Sequence, residues 1–194
     1  NPLGVSADTF SELAQKTFPV LDDAAGNEMQ QLILAAKQSC DSVGGVIECM
    51  AINLPAGIGA PFFDSLESRL AHALFSVPAV KGIEFGKGFA LAHMTGSEAN
   101  DQMYYDNGVV KTYTNNNGGI TGGITNGMPV LFKAAVKPTP SIAKVQKTVD
   151  LSTESNTELL ITGRHDPCIV QRAVPVIEGV ASWVILDILL AGEK

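Results

Sequence analysis

Two pairs of glycines mark the segment of this chain best suited to chemistry. The pairs are Gly118-Gly119 and Gly122-Gly123, within a polar stretch at residues 115–127. Glycine adopts positive φ angles and lets the backbone come close to a ligand, because it has no Cβ. N–H groups exposed in such turns form concave sites for anions, above all phosphate. The same residue types also form turns that bind nothing, so these residues alone leave both interpretations open.

A polar segment with one cation and two hydroxyl groups follows the next apolar run. Residues 130–136 read Val-Leu-Phe-Lys-Ala-Ala-Val and predict a β-strand, and residues 137–141 read Lys-Pro-Thr-Pro-Ser. Each proline fixes its own φ and restricts the residue before it, so the polar side chains are held on a stiff segment. This segment suits an anionic ligand, although turn chemistry without a ligand is the alternative.

A second group of reactive side chains lies at residues 163–168, which read Gly-Arg-His-Asp-Pro-Cys. The guanidinium of Arg164 is a rigid fork suited to a carboxylate or phosphate, and Asp166 can accept a proton or orient an imidazole. Pro167 is expected near the first turn of a helix, so a ligand would face a helix N-terminus. A surface Arg-Asp ion pair beside a helix cap is the other interpretation.

The remaining histidines and cysteines do not predict a metal site. His72 and His93 each stand alone in the sequence and are read as core or rim residues. Cys40, Cys49 and Cys168 are an odd number with no pair at metal-ligand spacing. They indicate free thiols in a reducing compartment.

The composition indicates a globular domain rather than a nucleic-acid-binding or disordered chain. Of 194 residues, 45% are hydrophobic and 17% charged, and the formal net charge is −7. A negative protein is poorly suited to bind nucleic acid, because contacts with phosphates need a basic surface. Six of the thirteen cations nevertheless lie at residues 133–172, which favours a small anionic ligand over a polymer.

The hydrophobic pattern predicts the elements that must position these residues, in one domain that covers residues 1–194. Helices are expected at about 9–16, 27–36, 65–77 and 169–190, and strands at about 46–54, 80–85, 89–94, 130–136 and 158–162. This order indicates an α+β fold with mixed antiparallel sheets and helices gathered on one face. Residues 95–117 are polar and predict a mobile loop. In that loop Tyr104 and Tyr105 could stack on a flat ligand or cover a core edge.

The helix expected at residues 169–190 is apolar nearly all round. Glu178 and Asp187 within it argue against a membrane span, where acids are costly. A helix without a broad polar face must be covered on more than one side. It is therefore expected as a layer between sheets or in a subunit interface.

Taken together, the motifs resemble the chorismate synthase family. Residues 163–168, followed by Arg-Ala-Val-Pro at 172–175 and by Glu178, are similar to the C-terminal signature of that family. Five further blocks resemble the family in its order and lie at residues 41–48, 77–82, 96–98, 115–124 and 137–141. The resemblance covers about residues 40–190.

The resemblance implies a lyase of the shikimate pathway. The reaction eliminates phosphate from 5-enolpyruvylshikimate 3-phosphate to give chorismate, which leads to the aromatic amino acids, and it requires reduced flavin mononucleotide (FMN). The resemblance also implies a cytoplasmic homotetramer with helices layered between two antiparallel sheets, a β-α-β sandwich. The source of the flavin electrons stays open between an external reductase and an NADPH-dependent activity of the parent enzyme.

The resemblance also assigns roles to individual residues. Asp166 matches the aspartate that moves a proton near the flavin N5, and Arg164 is expected to contact substrate as well as flavin. The positions expected to contact the flavin are Pro78, Ala79, Gly122, Lys137, Pro138, Thr139, Pro140, Ser141 and Arg164.

The sequence lacks residues that the N-terminal half of the family contains. The two histidines and several substrate-binding arginines of the family's N-terminal half have no counterpart here, and the chain begins with Asn1 rather than methionine. We therefore expect the C-terminal half of the enzyme, which binds flavin weakly and does not turn over. A non-catalytic flavin-binding or self-association module is one alternative. An unrelated phosphate-binding domain is another.

Overall fold

Helices and short antiparallel strands alternate along the chain. The computed structural model describes residues 5–192, which contain five α-helices and nine β-strands. The helices are α1 (Ala7–Gln15), α2 (Asp23–Gln38), α3 (Leu66–Phe75), α4 (Gly96–Ala99) and α5 (Val170–Gly192). The strands are β1 (Gly45–Ala51), β2 (Val80–Phe85), β3 (Met103–Asp106), β4 (Val109–Thr112), β5 (Ile120–Thr121), β6 (Ile124–Thr125), β7 (Val130–Val136), β8 (Gln146–Asp150) and β9 (Ser155–Leu159).

The main sheet has three strands in the order β1-β7-β2, and β7 pairs antiparallel with both neighbours. Val130, Phe132, Ala134 and Val136 alternate along β7 and face the core, and Leu131 on the other face is also buried. On the opposite face Lys133 lies between Glu48 and Glu84, with N–O distances of 3.9 and 3.5 Å. This alternation directs one side of β7 into the core and leaves charges on the other.

Helices α3 and α5 form a layer on the buried face of the sheet. Helix α3 begins after Ser65, whose hydroxyl accepts a hydrogen bond from the Ser68 N–H at 3.0 Å. Its leucines recur every four residues and are fully buried: Leu66, Leu70 and Leu74. They pack in one core with buried residues of α5 such as Ile177 and Ala181. Spacing of this kind places one stripe of a helix against the sheet.

The other side of the helix layer is bare among the described residues. Trp183 of α5 is 72% exposed and Phe63, just before α3, is 93% exposed. By length and composition alone α5 could cross a membrane, and only 28% of its most apolar window is buried. The Asp187 carboxylate within it forms an ion pair with Arg69 of α3. The sequence predicted that α5 is covered on more than one side. Within residues 5–192 it is covered on one side only.

Several predicted elements are confirmed and several needed correction. The strands at 80–85 and 130–136 are as expected. The strand expected at 89–94 is a 3₁₀ helix, Gly88–His93. Strand β9 (Ser155–Leu159) begins before the expected range of 158–162 and ends within it, and its partner β8 was not predicted. The sequence does not predict β8, because none of its residues is buried and it therefore lacks an apolar face.

Residues 95–117 contain more regular structure than the polar loop that was expected. They include α4 and the hairpin of β3 and β4. The ring of Tyr104 stacks on that of Tyr113, with 4.5 Å between ring centroids, whereas Tyr105 is 79% exposed. Tyr104 therefore covers a neighbouring ring within the hairpin. The mobility of this stretch stays a prediction.

The arrangement is an α+β fold with antiparallel sheets, as predicted. One sheet and one helix layer of the expected sandwich lie within residues 5–192. The three remaining strand pairs of the described residues, β3-β4, β5-β6 and β8-β9, are separate two-stranded hairpins.

Candidate functional site

Four chain segments that are distant in sequence meet where β7 ends. The Lys137 N–H donates to the Ala79 carbonyl at 2.9 Å. The Ser42 hydroxyl donates to the Thr139 carbonyl at 2.6 Å, and the Val43 N–H donates to the Pro167 carbonyl at 2.8 Å. We call residues 41–44, 78–79, 137–141 and 163–168 the sheet-end cluster. It unites most of the positions that the sequence assigned to the flavin.

Close backbone packing holds this cluster together. A Cβ on Gly44 would lie 2.3 Å from the Val136 carbonyl oxygen and 3.0 Å from the Pro138 ring, so a larger residue would push the two segments apart. Beside them the Lys144 ammonium donates to the Asp41 carboxylate at 2.6 Å. That hydrogen bond from Lys144, together with one from the Ser42 N–H, lowers the pKa of Asp41.

Ala79 carries a local sign of a constrained site. Its φ is +73°, in a region that non-glycine residues avoid at a cost of about 1–3 kcal/mol. The hydrogen bond from Lys137 to the Ala79 carbonyl holds this conformation. The sequence gives no sign of it, because Ala79 is an ordinary residue that the tertiary contact forces into this region.

The cluster offers polar groups that have no internal partner among the described residues. Lys137 and Arg164 are exposed, and neither forms an ion pair with another described residue. The Thr139 hydroxyl oxygen and the His165 Nε2 are buried without a hydrogen-bond partner in the described chain. Two free cations and an orphaned hydroxyl fit a ligand that carries phosphate.

Asp166 has a partner that the sequence did not indicate. Its carboxylate accepts a hydrogen bond from the Arg172 guanidinium, on the first turn of α5, and not from Arg164. Pro167 precedes α5 by three residues instead of lying in its first turn. Asp166 and Arg172 both belong to the C-terminal signature, so their six-residue spacing was a signal available in the sequence.

Gly122 lies away from the sheet-end cluster. It is exposed in the turn between β5 and β6, with a φ of +63° and nothing within 4 Å of a built Cβ. This turn precedes β7, whereas Lys137 follows it, and a seven-residue strand spans roughly 20 Å. Within one chain the structure therefore does not bring Gly122 together with Lys137. Its role as a flavin contact stays a prediction.

Two cavities among the described residues lie away from Lys137 and Arg164, and the second of them borders Pro167 of the sheet-end cluster. A cavity of about 680 Å³ lies between α3 and α5 and is lined by Phe63, Arg69, His72, Trp183 and Asp187, among others. A second, of about 420 Å³, separates α2 from the start of α5. No group of three His, Cys, Asp or Glu side chains within residues 5–192 could hold a metal ion.

Comparison with known proteins gives a consistent result. A family model described as chorismate synthase matches residues 4–190. A chorismate synthase from Thermococcus gammatolerans is 52% identical over 169 residues, which are 87% of this chain and 48% of that protein. One from Dehalococcoides mccartyi is 48% identical over 183 residues, 94% of this chain and 50% of that protein. A solved crystal structure of chorismate synthase has a TM-score of 0.75 and 28% identity, covering 94% of this chain and 48% of that one. The chain spans about half the length of these proteins.

Proposed function

The chain belongs to the chorismate synthase family, and on that premise we propose that it supplies the C-terminal half of the enzyme's flavin and substrate site. The parent reaction removes phosphate and a ring proton from 5-enolpyruvylshikimate 3-phosphate and forms a new double bond, giving chorismate. Reduced FMN supplies the electron chemistry when it is bound. We place the protein in the cytoplasm, as part of a homotetramer.

One observation carries this proposal, the meeting of three predicted flavin-contacting segments in the sheet-end cluster. The hydrogen bonds of Lys137 to Ala79 and of Val43 to Pro167 link residues that lie 58 and 124 positions apart in the chain. The pairing of β7 with β1 and β2 brings the ends of these segments to one edge of the sheet, within reach of one bound molecule. The convergence supports a shared ligand.

The proposed roles follow from the chemistry of each side chain. Lys137 and Arg164 neutralise phosphate, because a departing phosphate leaves more easily when its charge is compensated. Residues 137–141, with the orphaned Thr139 hydroxyl, hold the flavin at the end of β7. Asp166, oriented by Arg172, would accept and return a proton beside the flavin when it is bound.

The site is incomplete in this chain alone. It lacks counterparts of the two histidines and the substrate-binding arginines that the resemblance assigns to the other half. We therefore propose weak flavin binding and no turnover for the isolated chain.

A titration with FMN, followed by flavin fluorescence, tests the binding role of Lys137. We expect Lys137→Ala to weaken binding about tenfold, the effect of losing one charge-assisted hydrogen bond. Lys147→Ala is the matched control, because Lys147 lies on the exposed strand β8, and it should leave affinity unchanged. Equal effects of both variants, or unchanged flavin fluorescence with the wild type, would contradict the proposal.

Chorismate formation, followed by absorbance with reduced FMN and substrate, tests the incompleteness of the site. We expect no reaction from the chain alone. Activity should return when the missing half of a relative is supplied as a separate chain. Enzyme-like turnover by the isolated chain would refute the proposed division of the site.

A further inference from the structure

We propose that Asp101 is a positioning residue that acts as the built-in anion of the glycine-rich segment. Its carboxylate accepts hydrogen bonds from the backbone N–H groups of residues 116 and 117. These N–H groups belong to the segment that the sequence predicted to bind phosphate. The anchoring itself is independent of any ligand. Its consequence for flavin binding rests on the function proposed above.

The contacts of Asp101 are unusually complete. The residue is only 8% exposed, and it is the one charged residue among the buried residues of the described chain. One carboxylate oxygen accepts from the Thr114 hydroxyl at 2.6 Å and from the Asn116 N–H at 2.7 Å. The other accepts from the Asn117 N–H at 2.9 Å and from the Asn117 side-chain amide at 2.8 Å. Four donors thus converge on two oxygens.

This set of donors requires a carboxylate at position 101. An asparagine of the same shape has one acceptor oxygen and one amide nitrogen, which only donates. With its oxygen facing Thr114 and Asn116, its nitrogen would face the backbone N–H of Asn117, a donor that cannot turn away. The isosteric change would leave that donor unsatisfied, which a structure avoids.

The anchored segment is packed between β2 and β7. The Asn116 carbonyl accepts from the Lys87 N–H at 2.8 Å, and the Gly118 carbonyl accepts from the Leu131 N–H at 3.1 Å. A Cβ on Gly118 would lie 2.5 Å from the Leu131 carbonyl oxygen, so the segment has no room to shift sideways. It continues directly into β5 and the turn that carries Gly122. Asp101 therefore sets the position from which that turn projects.

One consequence concerns the location of phosphate. Because Asp101 already neutralises the N–H groups at 116 and 117, a second anion there would meet a buried negative charge. The phosphate of a bound flavin is then expected at the sheet-end cluster, where Lys137 and Arg164 are free of ion pairs with described residues.

Amide hydrogen exchange on the flavin-free chain tests the anchoring. We expect Asp101→Asn to lower the protection of residues 115–121 about tenfold or more, while that of α3 and β7 is retained. Asp150→Asn is the matched control, because Asp150 also accepts turn N–H groups, from Ser152 and Thr153, but at an exposed hairpin. Unchanged protection in Asp101→Asn would overturn the proposal.

Chemical rescue separates the need for a negative charge from a general packing effect. Asp101→Ala leaves space for a small carboxylate, so sodium formate should restore protection of residues 115–121 beyond what sodium chloride at equal ionic strength restores. Equal effects of the two salts would show that the charge is not what this segment needs. If Asp101→Ala fails to fold, Thr114→Val removes one of the four donors and should give a smaller loss at the same residues. A loss spread evenly over the chain would count against the anchoring.

A flavin titration connects the anchor to the proposed function. Asp101→Asn should weaken FMN binding severalfold through the turn that carries Gly122. Loss of protection with unchanged affinity would overturn the link from Asp101 to flavin. A wild type that binds no flavin would speak against the proposed function alone, since the exchange experiment judges the anchor without flavin.

Discussion

At the scale of single residues, burial separates groups that share a chemical type. Cys49 lies on the core side of β1 and packs against the buried cluster, whereas Cys40 is exposed. Burial raises the pKa of the Cys49 thiol to about 12, with a further contribution from Glu178. The thiolate is the reactive form of cysteine, so these two thiols should behave differently.

Alkylation by iodoacetamide at pH 8, followed by mass spectrometry, tests this difference. At that pH a thiol with a pKa of about 12 has about one thiolate in ten thousand. We expect Cys40 to be modified in the native protein and Cys49 only after denaturation. Cys40→Ser is the control that identifies the fast site. Modification of Cys49 at the rate of Cys40 would show that β1 is not packed as described.

The same reasoning gives a pH dependence for Asp101. Burial raises the pKa of its carboxyl. The hydrogen bonds from Thr114, Asn117 and Asn116 together lower this pKa by more than burial raises it, so the net shift is downward. A carboxyl with a lowered folded-state pKa contributes stability above its unfolded value of about 3.9, and that contribution is lost as pH falls through the folded value.

Urea unfolding of the wild type and Asp101→Asn at pH 7 and below pH 3 tests this contribution. We expect the variant to be less stable by about 2 kcal/mol at pH 7. The difference should shrink at the acidic pH, because the unfolded carboxyl then takes up a proton more readily than the folded one, whose pKa is lowered. A difference that stays constant across this range would mean that charge plays no part.

At the scale of elements, α3 is the helix on which the core depends most. Its three leucines are fully buried between the sheet and α5, whereas Leu32 of α2 is 59% exposed. Helix α2 buries only Gly26 and Ala36. The two helices have similar apolar content, but only one of them faces a sheet.

Leu70→Ala measures the contribution of α3. Leaving a cavity at a fully buried leucine should destabilise the fold by about 2–5 kcal/mol, as read from chemical denaturation. Leu32→Ala is the matched control and should cost well under about 1 kcal/mol, because that side chain gains little on folding. Similar losses in both variants would mean that α2 is covered in solution.

At the scale of the whole molecule, the bare side of the helix layer is the main departure from an ordinary globular protein. The cavity of about 680 Å³ between α3 and α5 opens on this side, and Trp183 and Phe63 line it. Exposed apolar surfaces of this kind mark interaction sites. A cover on this second side of α5, expected from the sequence, stays a prediction, and the part of the relatives that this chain does not span is its expected source.

Trp183 is the only tryptophan of the chain and reports on this face directly. In dilute solution its fluorescence should resemble that of tryptophan in water and be quenched by iodide. Addition of the missing half of a relative should shift the emission to shorter wavelength and reduce quenching. Trp183→Phe controls for other emitters. A blue shift of the chain alone that grows with its concentration would instead support the self-association module.

The sequence by itself predicted most of the local elements and the candidate site residues. Periodic leucines predicted α3, an apolar run predicted β7, and six ordered motifs pointed to the family and to Lys137, Arg164 and Asp166. These features depend on residues that are close together in the sequence, so local sequence patterns predict them.

Tertiary structure alone decided which of these residues meet. It joined Lys137 to Ala79 and Asp166 to Arg172, separated Gly122 from them by the length of β7, and turned Asp101 from a loop residue into a buried anchor. It also left the outer side of α5 bare. The physical reason is that these outcomes depend on strand order and on contacts between distant segments. The hydrophobic pattern of one segment does not specify which other segment it will contact.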